Sequence, residues 1–344
     1  MRYNADFTAY WVGRLLSEVI FLQFTEFGFD NRILESLRHL GFDEATEIQS
    51  RAIPEAMAGR DLLASSKTGS GKTLAYLLPA LHRVFKVKPL SKRDPRVVIL
   101  VPTRELAKQV FAQLRLLLAA TRFSSTLILG GENFNDQHKA LQKDPHFVVA
   151  TPGRLVDHVK QRNLYLEGLE LLILDEADRM LDLGFAEQLR FIDGAANHRS
   201  RQTLFFSATL DNTEVNDIAQ LLLREPSRVA VGAGTDEHKD IDQAFYLCDN
   251  LDHKEALLSH LLAQDGIKQA IVFTATKLDT VRLAEQLAAL GHSTQALSGN
   301  LSQPARNKVM VSFSRGHFKV LVSTDVASRG LDIANVSHVI NFDI

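Results

Sequence analysis

Asp61-Leu62-Leu63-Ala64-Ser65-Ser66-Lys67-Thr68-Gly69-Ser70-Gly71-Lys72-Thr73 is the stretch on which the fold class turns. Asp61–Ala64 reads as a short strand, the middle as a glycine-containing loop, and Leu74–Val84 beyond it as a helix. Strand, loop and helix in that order is the setting in which a glycine-rich loop cradles phosphate. Gly69 and Gly71 let backbone N–H groups turn inward around phosphate oxygens. The helix start adds partial positive charge. Lys72 would reach the β- and γ-phosphates of a triphosphate, and Thr73 would ligate Mg²⁺. Ser66, Lys67, Thr68 and Ser70 complete the loop. The strict pattern has glycine at position 66. Ser66 removes that one from the entrance and leaves the pair nearest the phosphates.

Outward from this stretch the alternation repeats. Val97–Val101, Phe147–Ala150, Leu171–Leu174 and Thr203–Phe206 read as further strands, with helical stretches such as Arg104–Leu118 and Glu187–Ala196 after them. Near-continuous apolar runs alternating with helices predict an α/β fold with parallel sheets covered by helices. The pattern weakens over Ser227–Asp240 and restarts with Ala244–Leu247, Ala270–Phe273, Ser293–Leu297, Lys319–Val322 and His338–Phe342. The expected organisation is an extension of unassigned role over 1–23, a first domain over 24–229, a linker over 230–240 and a second domain over 241–344. That second domain would be incomplete, because the chain stops two residues past an apparent strand.

With 344 residues, 45% hydrophobic and 23% charged, the chain is globular and long enough for about two ordinary domains. Its 39 Lys and Arg against 41 Asp and Glu exclude a wholesale basic surface but not a local one. The single cysteine, Cys248, excludes an internal disulfide and a Cys-rich metal site, which suits the cytoplasm. No apolar stretch reaches the ~18 residues of a membrane span. Thr8–Gln23 is apolar but broken by Arg14 and Glu18, and Trp11, Leu15, Val19 and Leu22 could line a short helix.

Leu171–Leu174 runs straight into Asp175-Glu176-Ala177-Asp178. Ligands of an open parallel sheet sit outside the carboxyl ends of its strands. Three carboxylates there repel one another unless a cation shares the site. Asp175 is placed to hold Mg²⁺ through water, and Glu176 to orient or deprotonate the water that attacks the γ-phosphate. An acid-rich helix start is the plainer alternative.

Lys72, Asp175-Glu176-Ala177-Asp178 and Ser207-Ala208-Thr209 together resemble the DEAD-box RNA helicases. The resemblance covers Phe24 to Ile344, with the motifs in family order. It implies two tandem RecA-like domains and ATP with Mg²⁺ as cofactors. Gly41-Phe42 and Thr46-Glu47-Ile48-Gln49 are similar to the motif that reads adenine, with Gln49 supplying a donor and an acceptor and Phe24, 17 residues before Gly41, the stacking ring. Ala45 stands where the family usually has proline. A core aromatic remains the other reading of Phe24. By the same resemblance, the hydroxyls of Ser207 and Thr209 would bond Asp178. Thr103, Arg104, Gly131, Thr151 and Arg154 in the first domain, and Thr274, Thr276 and Thr324 in the second, would contact the RNA backbone. The arginines could instead brace loops, and the two first-domain threonines could be helix caps. Gly330 and Asp332 would meet the ATP ribose, and Arg329 would pair with acid.

The implied activity is ATP-dependent local unwinding of short RNA duplexes or remodelling of RNA–protein particles, by a monomer without membrane attachment that grips the backbone with little sequence preference. Asp249–Leu262 and Val336–Ile344 look most like bacterial members of ribosome assembly, which makes pre-ribosomal particles candidate partners. The family's His-Arg-x-Gly-Arg motif is expected beyond Ile344. Without its arginines, the chain could be an ATP-dependent clamp that does not hydrolyse. A DNA-directed translocase is the remaining alternative.

Overall fold

The computed structural model describes residues 22–67, 69–119, 121–210, 213–232, 242–298, 301–324 and 336–343. It divides into two compact units, Met1–Asp236 and Glu237–Ile344.

The first unit is one parallel sheet of seven strands: β1 (Leu62–Ser65), β2 (Val97–Leu100), β3 (Ser125–Ile128), β4 (Phe147–Ala150), β5 (Leu171–Leu174), β6 (Gln202–Ser207) and β7 (Ser227–Ala230). Their order in space is β3-β4-β2-β5-β6-β1-β7. Alternate residues feed two cores. Leu62, Val97, Ile99, Phe147, Ile173 and Phe206 enter one, and Leu63, Val98, Leu100, Val148, Leu174 and Phe205 the other. A sheet buried on both faces needs apolar residues at successive positions, which is why the interior strands read as unbroken apolar runs.

Helices α1 (Asn31–His39), α2 (Glu47–Met57), α3 (Lys72–Lys86), α4 (Arg104–Leu118), α5 (Phe134–Leu141), α6 (Pro152–Lys160), α7 (Ala177–Asp182), α8 (Ala186–Ala195) and α9 (Thr213–Leu222) join the strands or flank them. In α3, Leu74, Leu77, Leu78 and Leu81 are 3% exposed or less. Each contributes about 1.5–3 kcal/mol of burial, which fixes the start of the helix over the end of β1.

The second unit contains α10 (Leu251–Leu262), β8 (Ala270–Thr274), α11 (Lys277–Ala289), β9 (Thr294–Leu297), α12 (Gln303–Ser314), β10 (Val320–Thr324) and β11 (His338–Asn341). Its strands are parallel in the order β11-β8-β10-β9. No helix among the described residues is long and apolar enough to cross a membrane.

Three expectations change. Ser125–Ile128 is a strand that apolar periodicity does not reveal. Ser227–Ala230, where the strand–helix pattern weakens, is a strand as well, and its last residue takes the first position of the expected linker 230–240. Both lie at the edges of the sheet, where the half-open environment tolerates polar residues such as Ser125, Thr126 and Arg228 that interrupt the apolar run. Conversely, Ala244–Leu247 forms no strand, and Phe245 and Leu247 are 84% and 98% exposed. At the chain start, Leu22 and Gln23 are tied to the first unit: Ala45 N–H donates to the Leu22 carbonyl at 2.9 Å, and Gln23 bridges Glu44. The helix suggested around Trp11, Leu15 and Val19 lies outside the described residues, as do Thr68, Arg329, Gly330, Asp332 and the centre of the proposed linker.

Candidate functional site

Three adjacent strand ends carry the candidate chemistry. In the order β5-β6-β1, the first runs into Asp175–Asp178, the second ends at Ser207, and the third leads into the glycine-rich loop. Neighbouring strands lie about 4.8 Å apart, so the loop and the acidic segment are roughly 10 Å from each other across one strand.

Gly71 occupies the N-cap of α3 at φ 95°, a left-handed conformation that glycine adopts without strain. A Cβ there would come within 2.5 Å of Gln49 Nε2 and 2.9 Å of Thr46 Oγ1, so glycine is required for space as well. The Gln49 amide is engaged on both sides. Nε2 donates to the Gly71 carbonyl at 2.9 Å, and Oε1 accepts from Thr46 N–H at 2.9 Å. Gln49 is therefore a buttress of the phosphate loop. One amide proton and one lone pair stay free for a base edge. Phe24, by contrast, is 3% exposed and sits in the core beside Phe27 at 6.1 Å, the alternative its sequence context left open.

The Lys72 ammonium donates to the Ser66 carbonyl at 2.7 Å and the Lys67 carbonyl at 3.4 Å, across the mouth of the loop. The Ser66 and Ser70 hydroxyls are 2.8 Å apart. Ser66 N–H donates to the Ser207 carbonyl at 3.2 Å, which ties the loop entrance to β6.

Tyr76 joins the loop's helix to the acidic segment. Its hydroxyl, fully buried, donates to Asp175 Oδ2 at 2.9 Å. Burial raises the Asp175 carboxyl to about 6, and the Lys72 charge pulls in the other direction. Burial and the neighbouring Asp175 also push the Tyr76 phenol well above its usual range. Asp175 Oδ1 and Asp178 Oδ1 are buried and have no hydrogen-bond partner. Unpaired buried carboxylate oxygens are costly, and they cluster where a ligand completes the site.

Glu176 sits at φ 54°, left-handed and not glycine. This conformation costs about 1 kcal/mol or more and is typical of functional positions. Arg179 donates to Glu176 Oε2 at 2.7 Å, which holds the carboxylate in place. The expected bond from Ser207 or Thr209 to Asp178 is not made. Ser207 Oγ donates instead to the Thr209 carbonyl at 2.6 Å, a local turn that takes up the hydroxyl proton.

The residues expected to face RNA divide by role. Thr103 caps α4 by accepting from Leu106 N–H at 3.2 Å. Arg104 lies against Gly131, at φ 76°, where any side chain would collide with the guanidinium. Thr151 Oγ1 accepts from Gly130 N–H at 3.4 Å. Arg154 donates to the Glu132 carbonyl at 3.0 Å and lies over the Phe134 ring at 5.5 Å, so it braces the loop beside it. In the second unit, Thr274 is buried with its hydroxyl 2.8 Å from that of Thr280. Thr276 caps α11 through Asp279 N–H at 3.1 Å, and Thr324 is buried at the end of β10.

Tyr76 is the site residue the sequence reading missed. Its position three residues after Thr73, on the same helix face, was the available signal.

Comparisons with known proteins agree with this geometry. The profile of the DEAD/DEAH box helicases matches residues 46–218, and that of the helicase conserved C-terminal domain matches residues 252–344. The chain is 43% identical over 321 residues to the ATP-dependent RNA helicase SrmB of Escherichia coli, covering 93% of this chain and 72% of that protein. It is 40% identical to the DEAD-box ATP-dependent RNA helicase CshA of Bacillus cereus, covering 93% of this chain and 60% of that protein. Among solved structures, S. cerevisiae Dbp5 bound to RNA and ADP BeF3 superposes with a TM-score of 0.79 at 29% identity, over 94% of this chain and 81% of that one.

Proposed function

The chain belongs to the DEAD/DEAH box helicase family and is an ATP-dependent RNA helicase of the SrmB type, and from that premise we propose how its residues divide the work. The observation that carries the proposal is the Tyr76–Asp175 hydrogen bond. It ties the helix that begins with Lys72 and Thr73 to the acidic strand end two strands away.

The triphosphate enters the loop Ser66–Thr73, and the Lys72 ammonium exchanges its two carbonyl partners for phosphate oxygens. Those bonds to neutral carbonyls give way to stronger, charge-assisted ones. Gln49 holds Gly71 and offers its remaining donor and acceptor to adenine. Thr73, Asp175 Oδ1 and Asp178 Oδ1 fit a hard, hydrated dication: one hydroxyl in the first helical turn and two buried carboxylate oxygens without partners. Mg²⁺ there would neutralise charge on the β- and γ-phosphates. Glu176, in its strained conformation, orients and accepts a proton from the attacking water, while Arg179 fixes its rotamer.

Thr103, Arg104, Gly131, Thr151 and Arg154 shape the RNA-facing loops of the first unit. The arginines act as braces that hold backbone amides in place. Thr274, Thr276 and Thr324 do the corresponding work in the second unit. Phosphates and 2′-hydroxyls, not bases, carry the grip. The chain works as a cytoplasmic monomer, and the resemblance of its Asp249–Leu262 and Val336–Ile344 segments to bacterial helicases of ribosome assembly, read from the sequence alone, makes pre-ribosomal particles the proposed substrates.

Glu176→Gln tests the assignment. The variant should bind ATP and RNA with wild-type affinity and hydrolyse ATP about 10²–10⁴-fold more slowly in a single turnover. An unchanged single-turnover rate would remove Glu176 from the chemistry.

A further inference from the structure

The connection between α3 and β2 carries charge that the nucleotide site does not use. It reads Lys86-Val87-Lys88-Pro89-Leu90-Ser91-Lys92-Arg93-Asp94-Pro95-Arg96. It lies at the opposite rim of the sheet from the phosphate loop. Helix α3 runs from Lys72 to Lys86 and puts about 21 Å between them, at about 1.5 Å per residue.

A lysine-rich connection is ordinarily a solvated, pliant loop. This one is anchored from below. Buried Arg96 pairs with Glu170 through Nε at 2.7 Å and Nη2 at 2.8 Å, and donates to the carbonyls of Val84 and Val87 at 2.8 and 2.7 Å. Leu90 N–H donates to Glu170 at 3.3 Å. Asp94 accepts from Gly168 N–H at 2.9 Å, and Ser91 Oγ accepts from Arg93 and Asp94 N–H. The loop's one acid and the acid beneath it are therefore both committed to holding it in shape.

Lys86, Lys88, Lys92 and Arg93 are exposed, and no ion pair engages their side chains. A fifth cation adjoins them. Phe85, next to Lys86, packs edge-on against Phe123 at 5.0 Å, which brings exposed Arg122 alongside. Both rings are half-buried. The Arg32 guanidinium lies 4.0 Å from the Phe85 centroid and that of Arg122 lies 6.0 Å from Phe123. Asp30 is spent on Arg32 at 2.8 Å.

We propose that this anchored platform is a second RNA contact. It holds the phosphate backbone of a single-stranded segment flanking the one gripped at the carboxyl rim. Five exposed cations make no ion pair, although Lys86 feels the Asp30 charge; Lys88, Lys92 and Arg93 sit on a loop whose backbone is already ordered by buried bonds and loses little backbone entropy on meeting a polyanion. The Phe85 and Phe123 rings already carry the Arg32 and Arg122 guanidiniums, so the grip is on phosphates, whose regular spacing suits a row of cations better than an acidic peptide does. A chain of net charge −2 must concentrate such an attraction locally. The proposal rests on RNA as the substrate and adds a site to it.

The test uses the whole 344-residue chain, a non-hydrolysable ATP analogue with Mg²⁺, and fluorescent oligouridylates 10 and 40 nucleotides long. Each phosphate contact on a single strand adds about 0.7 to the slope of log affinity against log salt. Lys88→Ala/Lys92→Ala/Arg93→Ala should therefore lower the 40-mer's slope by about 2 and its affinity by about tenfold or more at 0.1 M salt. The 10-mer's affinity, its stimulation of ATP turnover and the melting temperature should stay at wild-type values. An unchanged 40-mer slope, or an equal loss for both RNAs, overturns the platform. Failure of the wild type to bind the 10-mer would instead break the reading of the main site, while the 40-mer's slope still judges the platform.

Discussion

The two rims of the first sheet are built on opposite terms. At the amino rim, the buried polar groups close on the protein itself, beneath the exposed cations. Arg96 and Glu170 form a buried bidentate pair, Asp61 accepts from Thr203 and Arg224 N–H at 2.7 Å each, and Gln202 donates to the carbonyls of Ala56 and Arg60. Arg83 Nε, Arg201 Nε and Thr203 Oγ1 are the exceptions there. At the carboxyl rim, polar groups are kept in reserve. Asp175 Oδ1 and Asp178 Oδ1 have no partner, Lys72 rests on two carbonyls, and Glu176 is held at positive φ. The buried polar groups of one rim stabilise the sheet, and those of the other store unmet bonding capacity that a charged ligand can claim. The same strands supply both, so the difference lies in loop chemistry and not in fold.

That contrast can be broken most forcefully at Glu170. Glu170→Ala leaves Arg96 buried beside no carboxylate and removes the partner of Leu90 N–H. It should cost about 3–5 kcal/mol in urea unfolding. ATP turnover per folded molecule should be unchanged, and a turnover defect with normal stability would reverse the roles of the rims.

Tyr76→Phe probes the carboxyl rim without changing volume. It removes a hydrogen bond to a buried carboxylate, a bond worth about 1.5–3 kcal/mol. The expected readouts are a loss of stability in that range and weaker binding of Mg²⁺–nucleotide, measured by titration with the analogue. Wild-type values for both would show that Asp175 needs no support from α3.

The smallest effect concerns the scaffold under the first unit's loops that are proposed to face RNA. His158 is buried, stacked on Phe134 at 4.0 Å, with Nε2 3.3 Å from Gln137 Oε1. Burial, reinforced by Arg154, lowers its pKa to about 4. The folded state keeps the ring neutral while the unfolded chain binds a proton near pH 6.5. Stability from this group is complete above 6.5 and declines as pH falls from there towards 4. Between pH 7.5 and 5, the wild type should therefore lose more melting temperature than His158→Gln. Equal losses would show that another group governs acid sensitivity.

Legibility from sequence followed burial. Val97–Leu100, Phe147–Ala150 and Leu171–Leu174 are buried on both faces and read as unbroken apolar runs, whereas Ser125–Ile128 and Ser227–Ala230 at the edges carry the polar residues that edges require. Ala244–Leu247 shows the converse: an apolar run with no neighbouring strand is not a strand. At the site, the phosphate loop and the acidic segment were legible because each is contiguous. The Gln49–Gly71 and Tyr76–Asp175 bonds span 22 and 99 residues, and no local pattern announces them. The Ser207–Asp178 bond was expected from resemblance, but a local turn to Thr209 replaces it.

By itself the sequence determined what steric and hydrophobic rules act on over a few residues: a glycine turn ahead of a lysine, carboxylates following a strand, apolar positions facing two cores. Only the tertiary structure decided that β6 alone lies between the strand bearing Asp175 and the strand leading to Lys72. Strand order is set by how helices and sheet pack across long loops, a balance of burial and chain connectivity that no single segment contains.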